Sequence, residues 1–272
     1  MKTLIAGPWV GEFGWELFAW QGYVRALSRK FDKTMIISRL NSKALYDDFA
    51  DEFVSYEPVG GLADSYFMHG VDIKKCFMEV ISKNKIAVNK DTTLLLPRRI
   101  GFPPHTHYEQ LMIFGEHMVT PEYVQYGNPA EQKYDFVFHI RDRDLRKEDN
   151  WAMDNWNLLK EKLNSDKIAC IGTKSESGYI RETKDLRDAP LKEVFNALAA
   201  AKCCFGPSSG PMHMASLCGC PHVVWSIDSN KIRYEENWNP LNTEVLFDSE
   251  HEWHPASDYV YNKFINWIEE KK

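Results

Sequence analysis

No run of apolar residues in this sequence approaches the ~20 needed to cross a bilayer as a helix. No basic-then-apolar leader opens it either. Thr3-Leu-Ile-Ala6 reads as a first strand and not as part of a signal peptide, so the cytoplasm is the expected compartment. Disulfide patterning is also missing. The six cysteines are Cys76, Cys170, Cys203, Cys204, Cys218 and Cys220, and four of them fall in or beside apolar strand-like runs, as packed thiols do. Cys218-x-Cys220 with His213 matches no standard zinc spacing, so no metal is expected there. An excess of positive charge is absent as well, 33 Lys and Arg standing against 39 Asp and Glu. A formal net charge of −6 argues against a surface built for nonspecific nucleic-acid binding.

What remains is a soluble globular composition, 44% hydrophobic with 26% charged residues spread along the chain. A length of 272 residues suits two modest α/β domains or one large one. Nine Trp, twelve Tyr and fifteen Phe are enough to line an aromatic cleft.

Strand-like and helix-like stretches alternate. Thr3 to Ala6 is a strand, followed by the loop Gly7-Pro-Trp-Val-Gly-Glu-Phe-Gly-Trp-Glu-Leu17 and a helix over 17–31 with Leu17, Trp20, Val24, Leu27 and Phe31 on one face. Strands follow at 33–38 and 53–56, with a short helix over 42–50 between them, then a helix over 72–83 and a strand over 92–96. Residues 120–133, carrying Pro121, Gly127 and Pro129, read as a linker. The pattern then restarts: strands at 134–140 and 168–171, helices at 154–163 and 191–201, a last strand at 243–247 and a closing helix over 256–270. Alternating order of this kind predicts parallel sheets with helices on their faces. The expected architecture is therefore α/β: two Rossmann-like lobes, residues 1–127 and 128–255, with an interlobe cleft and a closing helix (256–271) free to pack back on the first lobe.

One stretch carries the most chemical information. Cys203 to Phe205 is a short apolar strand broken by Gly206 and Pro207. Ser208, Ser209 and Gly210 are N-cap types, Pro211 suits a first helical turn, and Gly219 and Pro221 end the helix before His222 to Trp225 resumes a strand. A helix N-terminus at a strand's carboxyl end is an anion site, because unpaired N–H groups and the helix dipole point at the ligand.

Ser208-Ser-Gly-Pro-Met-His-Met-Ala215, followed by Gly219-Cys-Pro-His-Val223, resembles the D-S-G-x-x-H-x-A-x-x-x-G-x-P-x-V turn of glycosyltransferase family 9, the heptosyltransferase family of the GT-B fold. The family's aspartate is Ser208 here. Asp154-Asn-Trp-Asn-Leu-Leu-Lys-Glu-Lys-Leu163 is similar to the family's R-W-P-x-x-x-W-x-x-L-x-x-x-L helix, and Asp188-Ala-Pro-Leu-Lys-Glu-Val194 stands where the family has a short loop. The likeness covers residues 134–228. His139-Ile-Arg141 is also similar to the H-x-R motif of some fucosyltransferases, where the arginine meets the donor phosphate.

The resemblance implies an inverting, metal-independent glycosyltransferase that uses a nucleoside-diphosphate sugar. Such a reaction needs a base on the acceptor hydroxyl and charge stabilisation on the leaving diphosphate. Ser208, Ser209, Gly210 and His213 are the expected donor-binding residues, with His139 and Arg141 beside them and Gly11 of the first loop added; arginine grips phosphate bidentately. Thr173 and Lys174, in the loop after a strand, are candidates for the ribose or nucleobase. Gly11-Glu12 matches the family's glycine followed by its aspartate base, so Glu12 is the expected base and Glu16 the runner-up; both also suit the start of a helix as dipole partners. Trp9, Phe13 and Trp15 could stack on the acceptor or be core, and Arg98 and Arg99 could hold an anionic acceptor or be solvated. Asp142-Arg-Asp144 is not read as a metal motif. The acceptor class left open is a saccharide, a protein or a modified nucleic-acid base. A sugar-nucleotide epimerase and a noncatalytic nucleotide-sugar-binding protein are the alternatives.

Overall fold

The computed structural model describes residues 1–61, 69–97, 119–130 and 133–271. Contacts divide them into two units, Met1–Tyr123 and Val124–Lys272. The division falls inside the expected linker, and hydrogen bonds on either side explain its place. Glu122 N–H donates to the Gly22 carbonyl at 3.0 Å, whereas Tyr126 N–H donates to the Leu217 carbonyl at 2.8 Å. Tyr126 also stacks on Phe195 at 4.7 Å.

The first unit is built on a four-stranded parallel sheet: β1 (Thr3–Ala6), β2 (Lys33–Ser38), β3 (Glu52–Ser55) and β4 (Thr92–Leu95), in spatial order β3-β2-β1-β4. β1 is central and almost wholly apolar because it is covered on both faces. It stops at Gly7, whose φ of 114° and the carbonyl of Ile37, 2.1 Å from where a Cβ would stand, admit glycine alone. The next helix starts earlier than the periodicity predicts: α1 (Phe13–Trp15) runs through a π-helical turn at Glu16–Trp20 into α2 (Gln21–Ser28). The expected helix over 42–50 is a 3₁₀ segment, Leu40–Leu45. α3 (Ile73–Asn84) is capped by Asp72, whose carboxylate accepts from the Lys74 and Lys75 amides. Phe77 and Val80 of α3 pack with Ile5, Met35 and Ile37 of the sheet.

In the second unit six parallel strands stand in the order β10-β9-β8-β5-β6-β7. They are β5 (Phe136–Phe138), β6 (Ile168–Gly172), β7 (Lys184–Arg187), β8 (Cys203–Pro207), β9 (His222–Trp225) and β10 (Val245–Asp248). β7 has no counterpart in the sequence reading. Lys-Asp-Leu-Arg offers a single apolar residue, which an edge strand tolerates. The helices are α4 (Met153–Leu163), α5 (Leu191–Ala199), α6 (Gly210–Leu217) and α7 (Ser257–Glu269). α7, the closing helix, packs beside α4, both within the second unit. Its Phe264 meets Phe205 at 4.9 Å and Phe136 at 6.0 Å, both edge-on. Trp151, Trp156 and Trp225 cluster within the same core.

Among the described residues, no helix is long and apolar enough to cross a membrane. The core contacts of Phe264 carry a prediction. Phe264→Ala should destabilise the second unit by about 3–5 kcal/mol, read as a lower denaturant midpoint by tryptophan fluorescence. An unchanged midpoint would detach α7 from that core.

Candidate functional site

In the second sheet the chain runs β5-β6-β7 outward on one side, then returns to place β8 on the other side of β5. Loops leaving the carboxyl ends of β5 and β8 therefore diverge, and ligands of open α/β sheets bind at such a switch point. The loop after β5 carries His139 and Arg141; the turn after β8 carries Ser208, Ser209 and Gly210. Gly206 lets the two strands and α6 approach closely, because a Cβ there would lie 2.6 Å from Met212 Sδ and 3.0 Å from the His139 carbonyl.

The turn is narrower as an anion cradle than its sequence suggests. Ser208 N–H donates to the Trp225 carbonyl at 3.1 Å, completing the sheet ladder. Ser209 N–H donates to the Tyr234 hydroxyl at 2.9 Å. Gly210 and Met212 remain as first-turn amides with no acceptor within the helix, Pro211 having no N–H. Ser209 is the N-cap, but its hydroxyl makes no capping bond, and its buried Oγ has no hydrogen-bond partner. Of these groups only the Gly210 amide belongs to a part-exposed backbone, Met212 being fully buried and Ser209 Oγ enclosed, and the dipole of α6 adds to it.

Tyr234, which sequence reasoning missed, supports this turn from below. It is fully buried, and its hydroxyl lies 3.2 Å from Ser208 Oγ and 3.3 Å from the Ser209 carbonyl. Burial pushes its phenol up to about 12, so it stays protonated. Its ring stacks on His213 at 4.0 Å, and Trp238 meets the other ring edge-on at 4.7 Å. Burial, then the charge of Arg233, drives the His213 imidazole well below its ordinary value. His213 is thus a neutral ring within the packing beneath the turn.

His139 is enclosed too, with Nδ1 3.3 Å from the Ile171 carbonyl; burial, aided by Arg141 and Arg143, lowers its pKa to about 4. Arg141 departs from the expectation of a phosphate ligand. It is 2% exposed, and its guanidinium points into its own loop. Nη1 donates to the Arg146 carbonyl at 2.9 Å and to Asn150 Oδ1, Nη2 donates to the Leu145 carbonyl at 3.1 Å, and Asp149 lies 3.8 Å away. With both terminal nitrogens engaged inside the loop and the side chain buried, Arg141 shapes residues 142–150. Thr173 and Lys174 occupy the loop after β6, where Lys174 is exposed and its N–H donates to Asp188 Oδ1 at 3.3 Å. Among the described residues no three His, Cys, Asp or Glu side chains cluster as metal ligands would. A surface depression of 310 Å³, lined by Lys133, Tyr134, Pro190 and Glu193 among others, includes none of these site residues.

In the first unit the loop after β1 carries Trp9, Gly11, Glu12, Phe13, Trp15 and Glu16. Glu12 is exposed and precedes α1 in extended conformation, with no capping hydrogen bond from its side chain. Phe13 and Trp15 are half-buried. Trp9 is core, 2% exposed and tilted on Trp20 at 5.5 Å, so it offers no open face to an acceptor. Gly11 leaves room for that indole, since a Cβ would stand 2.5 Å from its ring. Glu16 is fully enclosed and accepts hydrogen bonds from Ser38, Ser42, Tyr46 and Arg39. An acceptor hydroxyl cannot reach it, which separates Glu16 from Glu12. Arg98 and Arg99 lie outside the described residues.

The buried imidazoles link stability to pH. His139 and His222 titrate at about 4 when folded against 6.5 when exposed, so the unfolded chain binds more protons between those values. Their contribution is complete above pH 6.5 and is lost as pH falls toward 4. Urea midpoints should drop steadily over that window; a flat profile would mean that the rings are solvated.

No family model matches the sequence, and no curated protein is similar to it at a significant level. Solved structures are similar along the whole chain. Heptosyltransferase II from E. coli aligns over 100% of both chains at a TM-score of 0.64 with 13% identity. A glycosyl transferase family 9 protein from Veillonella parvula aligns over 99% of this chain and 97% of its own, also at 0.64, with 10% identity. The E. coli heptosyltransferase WaaC, solved with ADP, aligns over 100% of both at 0.60 with 12% identity. At such identities the likeness speaks for architecture: two parallel α/β units with the fold of GT-B glycosyltransferases.

Proposed function

We propose that this protein is an inverting glycosyltransferase that moves a sugar from a nucleoside-diphosphate sugar to an acceptor hydroxyl without a metal ion. The observation that carries this reading is the start of α6. The Gly210 and Met212 amides and the unpartnered Ser209 hydroxyl stand together at the switch point of a parallel sheet. The fold is shared with heptosyltransferases, and E. coli WaaC has been solved with ADP and with ADP-2-deoxy-2-fluoro heptose. An adenosine-diphosphate sugar is accordingly the first donor to test.

In the proposed reaction the acceptor oxygen attacks the anomeric carbon opposite the diphosphate and gives its proton to the Glu12 carboxylate. The anomeric C–O bond breaks, and its electron pair leaves on the diphosphate oxygen. The α6 N-terminus stabilises the charge that develops there, an electrostatic role that needs no proton transfer. Thr173 and Lys174 serve the nucleoside part of the donor. Phe13 and Trp15 offer aromatic surface to the acceptor. A saccharide is the favoured acceptor, because the net charge of −6 disfavours a polyanion.

ADP at 100-fold its dissociation constant should stabilise the protein by about 2.7 kcal/mol, visible as a thermal shift; none with ADP, GDP, UDP or their sugars would remove the nucleotide-sugar reading. Glu12→Gln should lower turnover by about 100-fold or more at unchanged melting temperature, whereas full activity would dismiss Glu12 as base. Excess chelator should leave the rate alone, and dependence on a divalent ion would reopen Asp142 and Asp144. Epimerised nucleotide sugar formed with no acceptor present would favour the epimerase.

A further inference from the structure

Glu16 and Arg39 form a buried ion pair, 0% and 2% exposed, at the carboxyl ends of the first sheet's strands. The carboxylate has four donors. Oε1 accepts from Ser38 Oγ and from the Tyr46 hydroxyl at 2.8 Å; Oε2 accepts from Ser42 Oγ at 2.8 Å and from Arg39 Nη1 at 3.2 Å. The rest of the guanidinium turns to backbone. Nη2 donates to the Gly11 carbonyl at 2.5 Å, and Nε donates to the Gly61 carbonyl at 2.7 Å. One planar fork therefore ties together the loops that follow β1, β2 and β3. The Gly11 carbonyl belongs to the peptide bond whose nitrogen is that of Glu12.

Burying such a pair costs desolvation that apolar packing of similar volume would avoid, so stability alone is a weak reason for it. Direction is a better one. A guanidinium offers donors along three fixed directions in one plane, which an ammonium cannot copy. We infer that Arg39, oriented by Glu16, is a positioning residue that fixes the Gly11–Glu12 peptide and with it the direction in which the Glu12 carboxylate projects. This role rests on Glu12 being the base proposed above. It also accounts for Glu16, a carboxylate four residues from Glu12 whose enclosure leaves it no access to substrate. A misplacement of about 1 Å can cost about 100-fold in rate, so the effect belongs in kcat and not in nucleotide affinity.

The test uses the full chain with three variants: Arg39→Lys, Glu16→Gln, and the double variant Glu16→Gln/Arg39→Met. Glu16→Gln alone strands a buried guanidinium and should lower the melting temperature most. The double variant removes both charges and should recover much of that loss. Its kcat should nonetheless stay about 10- to 100-fold down, with the nucleotide dissociation constant unchanged and faster amide exchange across residues 11–15. Arg39→Lys should show the same kcat loss and the same faster exchange. Recovery of kcat along with melting temperature in the double variant would reduce the pair to a structural one and overturn the inference. Unchanged exchange across 11–15 in both Arg39 variants would overturn it as well. Glu12→Gln run alongside separates the two readings. If Glu12→Gln is fully active the base assignment fails, while the exchange data still decide whether Arg39 holds the peptide. If Glu12→Gln is inactive and the Arg39 variants keep wild-type kcat, this inference alone fails.

Discussion

Parallel pairing of β8 with β5 on one side and β9 on the other is the constraint on which the candidate site depends. It puts the turn at Ser208 beside the loop at His139, at the one place in that sheet where successive crossovers part. It also consumes part of what the turn has to offer. Ser208 N–H completes the ladder to Trp225 and Ser209 N–H goes to Tyr234, so the amides left over begin farther along, at the start of α6. The glycine at position 206 is part of the same constraint, because a side chain there would push α6 away from the strands.

Beneath the turn, polar groups are settled by burial and not by solvent. Tyr234 takes the Ser209 amide, so that a helix start which would otherwise leave that N–H unpaired is completed by a phenol. His213 and His139 are pressed toward their neutral forms, because a charged ring in such surroundings would forfeit its hydration. Arg141 places its guanidinium on loop carbonyls and Asn150, and in the first unit Arg39 places its own on Glu16 and two carbonyls. In both cases an arginine that reads as a ligand-facing cation or goes unnoticed in the sequence is a device for holding backbone. What is left near the surface is small: the Gly210 backbone at the start of α6 and the exposed Glu12.

Much of this was legible from residue order. β1, β2, β6, β8 and β9 are apolar runs closed by glycine, proline or small polar residues, and α6 is marked at both ends by Ser-Ser-Gly-Pro and Gly219. β7 was not legible, because an edge strand with one buried leucine has no apolar period to detect. The segment at Leu40–Leu45 is a 3₁₀ turn where the sequence suggests a helix farther along the chain, since Leu45 and its neighbours suit either. Tyr234 stands in a charged stretch, Arg-Tyr-Glu-Glu, with no periodicity to single it out. Trp9 reads equally well as a stacking platform or as core, and its contact with Trp20 decided for core.

By itself, then, the sequence determined two parallel α/β units and a helix start suited to an anion, because strand and helix periods and the breakers between them are local properties. Which way each polar side chain faces was decided only by the tertiary structure. Glu12 and Glu16 differ by four positions and by nothing in type, yet one is exposed and the other is enclosed by Ser38, Arg39, Ser42 and Tyr46. That difference arises from strands brought side by side from distant parts of the chain, and no local pattern encodes it.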